Sequence, residues 1–167
     1  NTSMSLYART LANALADAPD FHVDLGDTFM TDKYGATYTD ARPQYYAERY
    51  YFSLLCGSAP LFFIMGNHDG EIGYAADGTA DSISAWSAKL RLGLFPNPLP
   101  DAFYSGNPTP EPAVGLLQNW FAFTWGDVLI VALDPFWPTR QSGNGTDNWN
   151  WTLGTEQYEW LRRTLEG

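Results

Sequence analysis

The sequence predicts an α/β fold, in which a parallel strand–helix–strand unit is followed by an antiparallel hairpin and flanked by helices. Phe21, Val23 and Leu25 alternate with polar residues, which indicates a strand with two different faces. A continuous apolar run over 61–65 indicates a second strand, covered on both faces as in a parallel sheet. The segment between them shows helical spacing, so we expect both strands to end at the same edge of one sheet.

Length and composition limit the possibilities further. The 167 residues make one domain or a piece of one, over 1–167. With 45% hydrophobic and 17% charged residues, the chain is expected to fold around a packed core. A net charge of -10 argues against general nucleic-acid binding and against docking on an anionic membrane. No apolar run approaches the ~20 residues that span a bilayer. These features leave the cellular compartment open.

Apolar residues at helical spacing predict four helices. In each predicted helix these residues share one side. They are Leu6, Leu11, Ala14 and Leu15 in the first helix; Tyr46, Tyr50 and Leu54 in the second; Ile83, Trp86 and Leu90 in the third; and Tyr158, Leu161 and Leu165 in the last. Pro43 suits a first turn, so the second helix is predicted from about Pro43 to Leu55. Ser82 is a candidate cap for the third helix, and the last helix is predicted to begin near Thr155.

The hairpin is predicted between two strands, Trp120–Thr124 and Val128–Asp134, joined at Gly126-Asp127. Six of the eleven prolines fall between Pro96 and Pro112, which predicts an irregular surface loop of functional character. A second polar loop, rich in Gly, Asn and Trp, is predicted to extend to about Trp151.

The candidate chemistry follows the two parallel strands. The first ends in Gly26-Asp27 and the second in Gly66-Asn67-His68-Asp69. Ligands of open α/β sheets collect outside the carboxyl ends of the strands, so Asp27 and Asn67 should face one crevice. A carboxylate can bridge two divalent cations, and an amide oxygen can bind one of them. His68 would then be placed to give a proton to a leaving oxygen.

These motifs resemble those of the calcineurin-like metallophosphoesterases, the superfamily that includes the purple acid phosphatases. Gly26-Asp27 and the four residues 66–69 resemble two successive blocks of that family. Residues 120–134 are similar to its central hairpin, and residues 153–161 to the helix that follows. The resemblance covers nearly the whole chain in the expected order, and it implies that the fold is a fragment of the family's α/β sandwich.

The resemblance also implies roles for these residues. Asp27 would bridge the metals, Asn67 would bind the second metal, and His68 would contact phosphate and assist the leaving group. Gly26, Gly66 and Asp69 would support them without touching metal. Two divalent ions of the Mn, Zn or Fe class are implied, with a phosphate mono- or diester as the small-molecule substrate and water as the attacking group.

The chain also departs from the family pattern. The family's Asp-x-His block and its later histidines have no counterpart here, because His22 and His68 are the two histidines of the sequence. Met30 stands where purple acid phosphatases carry tyrosine, which argues against an iron–tyrosinate centre. Asp27 and Asn67 alone are too few donors for two cations. We therefore expect this chain to be the middle of an enzyme, and to be inactive or nearly so in isolation, with a partial metal site or none. Uncovered strand edges are expected to favour self-association.

Other interpretations stay open. Asp27 and Asn67 also suit turns without metal, and His68 suits a hydrogen-bonded structural role. His22 and Asp24 are predicted to be structural. The indoles of Trp137, Trp149 and Trp151 could stack on a sugar or base, or anchor their loop, and Arg140 could clamp phosphate or be solvated. The alternative function is a noncatalytic module that binds carbohydrate or protein on the same scaffold.

Overall fold

The computed structural model describes residues 3–34, 37–140 and 152–167. Within these ranges the α-helices are α1 (Met4–Ala16), α2 (Thr31–Tyr34), α3 (Tyr38–Cys56), α4 (Ile83–Leu94) and α5 (Gly154–Glu166). The strands are β1 (His22–Asp24), β2 (Leu61–Phe63), β3 (Ser105–Gly106), β4 (Pro110–Glu111), β5 (Gly115–Leu116), β6 (Phe121–Trp125) and β7 (Val128–Ala132). A single 3₁₀ turn covers Gly73–Ala75. The predicted mixed α/β class is confirmed.

The parallel unit forms as predicted. Strands β1 and β2 pair in parallel with Val23 opposite Phe62, and α2 and α3 connect them. Successive residues of β2 face opposite sides, so that Phe62 and Phe63 enter two different hydrophobic clusters. The continuous apolar run is therefore explained by burial on both faces.

The hairpin is also confirmed. Strands β6 and β7 pair antiparallel around Gly126-Asp127, with Phe121 opposite Ala132. A third strand, β3, pairs with β6 and lies inside the segment predicted to be irregular. The sequence pattern does not predict β3, because a two-residue edge strand has no periodicity and prolines lie on both sides of it. Strands β4 and β5 form a separate short hairpin nearby.

Hydrophobic clusters join these elements in layers. On one face of β2, Phe63 packs with Tyr45 and Phe52 of α3 and with Trp86 of α4. On the other face, Phe62 stacks against Phe123 of β6, with ring centroids 4.7 Å apart. The parallel pair is thus enclosed by helices on one side and by the antiparallel sheet on the other.

Helix α5 covers the outer face of the hairpin. Trp160 packs on Trp120 with ring centroids 4.7 Å apart, and Ala122 belongs to the same cluster. Of the residues that share one side of this predicted helix, Tyr158 and Leu165 are exposed. Buried Gln157 takes a core position instead, since its amide donates to the backbone oxygen of Asp134 at 2.7 Å.

Helix α3 differs from the prediction in its start and in its buried face. It begins at Tyr38, because the Thr37 hydroxyl caps it by accepting from the Asp40 N–H, and this places Pro43 inside the helix. Tyr46 and Tyr50, which share one side of the predicted helix, are 52% and 64% exposed. The buried face comprises Ala41, Tyr45, Phe52 and Leu55.

The remaining predictions concern α1, α4 and β1. Helices α1 and α4 form as predicted, although Leu6 and Leu15 of α1 are exposed and Leu11 is its buried residue. The Ser82 hydroxyl caps α4 by accepting from the Ala85 N–H at 3.3 Å. Leu25 does not continue the buried face of Phe21 and Val23; it lies past the end of β1 and is 79% exposed. In the described part of the chain, no helix is both long and apolar enough to cross a membrane.

Candidate functional site

The candidate site lies where β1 and β2 end. The two strands leave the sheet side by side, and the Ile64 N–H donates to the Asp24 oxygen at 2.9 Å. Gly26 has φ +87°, and a Cβ there would lie 2.6 Å from the Ile64 oxygen and overlap the backbone nitrogen of Gly66. A Cβ on Gly66 would overlap the backbone nitrogen of Asp27. Glycine is thus required on both loops because their backbones touch.

This contact puts Asp27 against the second loop, residues 66–69, which follows β2. Asp27 is exposed and has φ +56°, a left-handed conformation that aspartate tolerates better than most residues. Its Oδ1 accepts from the backbone N–H of His68 at 3.0 Å. The carboxylate therefore lies beside the peptide that joins half-buried Asn67 to His68. Its Oδ2 bonds no protein group among the described residues.

Asp69 fastens the two loops together. Its Oδ2 accepts from the N–H groups of Asp27 at 3.0 Å and Gly66 at 2.8 Å, and its Oδ1 accepts from Phe29 at 2.9 Å. Burial raises the pKa of the Asp69 carboxyl to about 6, helped by the charge of Glu71 and opposed by the three backbone donors. The carboxyl is inaccessible, so it supports the crevice from behind.

The sequence analysis missed one member of this site, Asp32. Its Oδ2 lies 2.7 Å from Nδ1 of His68, and its backbone N–H donates to the His68 oxygen at 3.4 Å. Both side chains are about a third exposed. Asp32 stands on α2, a single turn of four residues that no apolar periodicity announces.

Helix α2 is held against the second loop by a chain of hydroxyl groups. The Thr31 hydroxyl lies 2.8 Å from the Tyr45 hydroxyl, which also donates to the Asp69 backbone oxygen at 3.3 Å. Both Thr31 and Tyr45 are fully buried. This anchoring fixes the start of α2, and with it Asp32, relative to His68.

The arrangement brings Asp27, Asn67 and His68 to one edge of the parallel pair of strands. Carboxylate and amide oxygens are ligands for hard divalent cations, so Asp27 and Asn67 suit one side of a metal site. The described residues include no group of three or more His, Cys, Asp and Glu side chains suited to hold a metal ion. Asp27 and Asn67 are thus the two candidate oxygen donors at this edge.

The residues predicted to be structural make contacts of that kind. The His22 ring packs on Phe52, with centroids 6.2 Å apart. Asp24 accepts from the Gly26 N–H at 3.0 Å and from the Thr28 hydroxyl at 2.6 Å, and burial raises the pKa of its carboxyl. Asp24 thus supports the turn that follows β1, and His22 packs against α3.

The aromatic loop gives a mixed outcome. Trp137 is buried with Ala88 and Leu117, so it anchors its segment to α4. Arg140 is exposed and donates to the Gly73 backbone oxygen at 3.5 Å. Trp149 and Trp151 lie outside the described residues.

Comparison with protein-family models, curated proteins and solved structures gives no match for this chain.

Proposed function

We propose that the chain is the central part of a metal-dependent hydrolase of phosphate mono- or diesters, of the calcineurin-like metallophosphoesterase type. The observation that carries the proposal is the contact of the Asp27 carboxylate with the N–H of His68, beside Asn67, at the shared end of two parallel strands. Two glycines that admit no side chain hold the loops at this distance. Ordinary turns do not need such a close approach.

In this proposal each residue has a separate task. Asp27 and Asn67 offer oxygen ligands to divalent cations, and His68 provides a proton at a ring nitrogen for the leaving oxygen. When bound, the cations supply positive charge for the nonbridging phosphate oxygens, which offsets the net charge of -10. Asp69 keeps the two loops in register by accepting three backbone hydrogen bonds.

Metal binding by the isolated chain tests the first step. Mn²⁺ should broaden the NMR signals of Asp27 and Asn67 before those of other residues, and Asp27→Asn should abolish this selectivity. Asp127→Asn is a matched control, because Asp127 also follows a glycine but lies in the hairpin turn. Broadening that is uniform over the acidic surface, or unchanged in Asp27→Asn, would contradict the proposal.

Hydrolysis tests the second step. The isolated chain should turn over p-nitrophenyl phosphate and its bis ester slowly or not at all, because Asp27 and Asn67 are too few donors for two ions. The longer parent protein, carrying the same residues, should turn over one of these esters and lose this activity with a chelator. Chelator-sensitive turnover by the isolated chain at ordinary enzymatic rates would contradict the partial-site proposal.

A cleft on another side of the molecule favours the alternative function, a carbohydrate-binding module. It encloses about 180 Å³ between the segment around Asn107 and the first turn of α5. Trp120 and Trp137 line it together with Glu111 and Glu156. Trp120 and Trp137 are buried, so the hydrogen-bonding side chains of the cleft, rather than stacking on an indole face, would hold a sugar. Binding of a monosaccharide series, lost in Glu111→Ala but kept in Asp27→Asn, would favour this function over hydrolysis.

Self-association belongs to the same proposal. Leu25, just past the end of β1, and Val128, at the start of β7, are 79% and 60% exposed. Strand β7 is an edge of its sheet among the described strands, and its sequence carries no charge that would discourage pairing. Sedimentation of the isolated chain over a range of concentrations should show oligomers, which Val128→Lys should reduce.

A further inference from the structure

We propose that a cavity at the C-terminal ends of α3 and α4 binds a small carboxylic acid, with the apolar body of the ligand inside and its carboxylate on Arg49. The cavity has a volume of about 340 Å³. Its walls come from the second half of α3, from β2 and from the end of α4. None of its lining residues belongs to the candidate site, so the inference does not depend on the proposed hydrolase.

The walls of the cavity are mostly apolar. Phe52, Phe63 and Phe95 line it, and each is at most 5% exposed. Leu61 and Leu94, which are half-buried, line it as well and pack against the same hydrophobic cluster. Small-molecule sites measure about 300–1,000 Å³, so this cavity suits a ligand with a short apolar body.

The cavity has one charged lining residue, Arg49. The chain carries 19 acidic and nine basic residues, yet no carboxylate occurs among the described residues that line this cavity. Two other clefts differ, since Asp101 lines one, and Glu111 and Glu156 line the other. The charge of the cavity is therefore complementary to an anion, unlike that of the two clefts.

Arg49 joins the two helices that flank the cavity. Its Nη1 donates to the backbone oxygen of Leu94 at 2.5 Å. Within the described chain Arg49 has no ion pair, and the helix positions three and four residues away hold no acid: they are Tyr45, Tyr46, Phe52 and Ser53. A guanidinium has five N–H donors, and a carboxylate can accept two of them side by side. The donors that Leu94 does not use are available for this purpose.

The helix ends at the cavity act in the opposite direction. Gly57 follows α3 and Leu94 ends α4, and the free carbonyl groups of a helix end favour a cation. Several of these carbonyl groups are already occupied, because the Leu94 oxygen accepts from Arg49 and the Arg91 oxygen accepts from the Phe95 N–H at 2.6 Å. The full charge of Arg49 therefore sets the preference of the cavity.

Octanoate is the probe, and the single cysteine of the chain reports its binding. Cys56 lines the cavity and is half-buried, so a ligand there should slow alkylation of its thiol by iodoacetamide. This reagent is neutral, so its rate does not depend on the Arg49 charge. Burial raises the pKa of the thiol, and the rate is therefore measured at ~pH 9. Octanoate should protect Cys56, octanol should protect it less, and octylammonium should not protect it.

Arg49→Gln removes the charge from an exposed position. This variant should raise the octanoate concentration needed for half protection about tenfold and leave that for octanol unchanged. Arg42→Gln is the matched control, because Arg42 is exposed on the same helix and does not line the cavity. It should change neither value.

Ser53→Phe tests the cavity itself. Ser53 is an exposed lining residue, so the larger side chain fills the cavity from the surface and leaves the core in place. Because the new ring also shields Cys56, binding is measured in this variant by titration calorimetry. Heat of binding should be lost for both octanoate and octanol.

Four results would overturn the inference. They are equal protection by octanoate and octylammonium, octanoate binding that is unchanged in Arg49→Gln, octanoate binding that is unchanged in Ser53→Phe, and no protection by octanoate in the unaltered chain. In the last case, alkylation that slows as the protein concentration rises would show that a second copy covers the cavity. Asp27→Asn should leave octanoate binding unchanged, so failure of the proposed metal site and failure of this cavity are distinguishable.

Discussion

Gly66 and Asp27 are in backbone contact: a Cβ added to Gly66 would overlap the backbone nitrogen of Asp27 and approach its carboxylate. Asp27 and Gly66 are 39 residues apart in sequence, and their contact joins the segments that follow the two parallel strands. It also explains why each of the two candidate motifs begins with glycine. The candidate site thus depends on two loops that approach each other more closely than any side chain allows.

Replacing Gly66 with alanine should therefore damage both stability and metal binding. We expect a loss of about 3 kcal/mol or more in the free energy of unfolding, because backbone atoms rather than flexible side chains must move. Gly93→Ala is the control: Gly93 is an exposed residue of α4 where a Cβ would meet nothing within 4 Å, so the variant should be more stable by about 0.5–1 kcal/mol. Urea unfolding of both variants measures the difference, and equal midpoints would show that the loops do not need the contact.

The strands and their junctions were predictable because their signals are local. The unbroken apolar run of β2 requires burial on both faces, and the dipeptide Gly126-Asp127 favours a hairpin wherever strands flank it. The placement of Asp27 and Asn67 at one edge followed from the parallel connection. These are consequences of backbone geometry that do not depend on distant side chains.

The buried faces of helices were less predictable. In α3, the spacing of Tyr46 and Tyr50 is as helical as that of Tyr45 and Phe52, and tertiary packing selects the second pair. Tyr45 is buried because its hydroxyl bonds to Thr31 and to the Asp69 backbone. Asp32 escaped notice for a related reason, since one helical turn leaves no periodic pattern and its partner His68 is distant in sequence.

This choice of face gives a second prediction. Tyr45→Phe removes the hydroxyl that bonds to Thr31 and to the backbone oxygen of Asp69. The Thr31 hydroxyl is then buried without that partner. We expect a loss of about 1–2 kcal/mol in the free energy of unfolding. Tyr46→Phe is the control, because Tyr46 is 52% exposed, and it should leave the unfolding midpoint unchanged. A greater effect at Tyr46 would show that the wrong face of α3 had been assigned to the core.

Asp69 provides a third prediction, because its two oxygens serve three backbone donors. Asp69→Asn has one carbonyl oxygen and one NH₂ group, so in either orientation at least one backbone N–H faces a donor. The expected loss is about 1–3 kcal/mol. Asp101→Asn is a matched control, since one oxygen of exposed Asp101 accepts both of its backbone donors, and an amide oxygen can do the same. Similar midpoints for the two variants would contradict the role of Asp69.

The pH dependence of stability follows from two buried carboxyls. Burial raises the pKa of Asp69 and of Asp134 to about 6, from an ordinary value of 3.8. A pKa raised in the folded state means that the folded chain holds the proton more tightly than the unfolded chain. Their contribution to stability is therefore complete below the ordinary value and is lost as pH rises through about 6.

The melting temperature should accordingly be higher near ~pH 5 than near ~pH 7.5. Reduced self-repulsion of the acidic surface acts in the same direction. Asp69→Asn and Asp134→Asn remove the groups responsible, so each variant should flatten the slope even if it lowers stability at every pH. Calorimetry across this range measures how steeply the melting temperature depends on pH. If both variants show the same pH dependence as the unaltered chain, surface charge alone accounts for it.

The last prediction concerns the buried ion pair next to the candidate site. Two residues after Asp69, Glu71 accepts from Nε and Nη2 of Arg91 at 2.6 and 2.9 Å, and both side chains are at most 1% exposed. Nη2 also donates to the Leu117 oxygen at 2.6 Å. The pair therefore connects the segment after β2 with α4 and with the segment between β5 and β6.

Arg91→Met should cost about 3–5 kcal/mol, because the Glu71 charge would remain buried without its partner. Adding Glu71→Gln to that variant should recover part of the loss, since an uncharged amide no longer needs a cation. A double-mutant cycle by urea unfolding measures the coupling, and Arg162→Met, which breaks an exposed pair on α5, should leave the midpoint unchanged. Additive losses in the cycle would mean that packing of the Arg91 side chain, and not its charge, holds the segment after β2 in place.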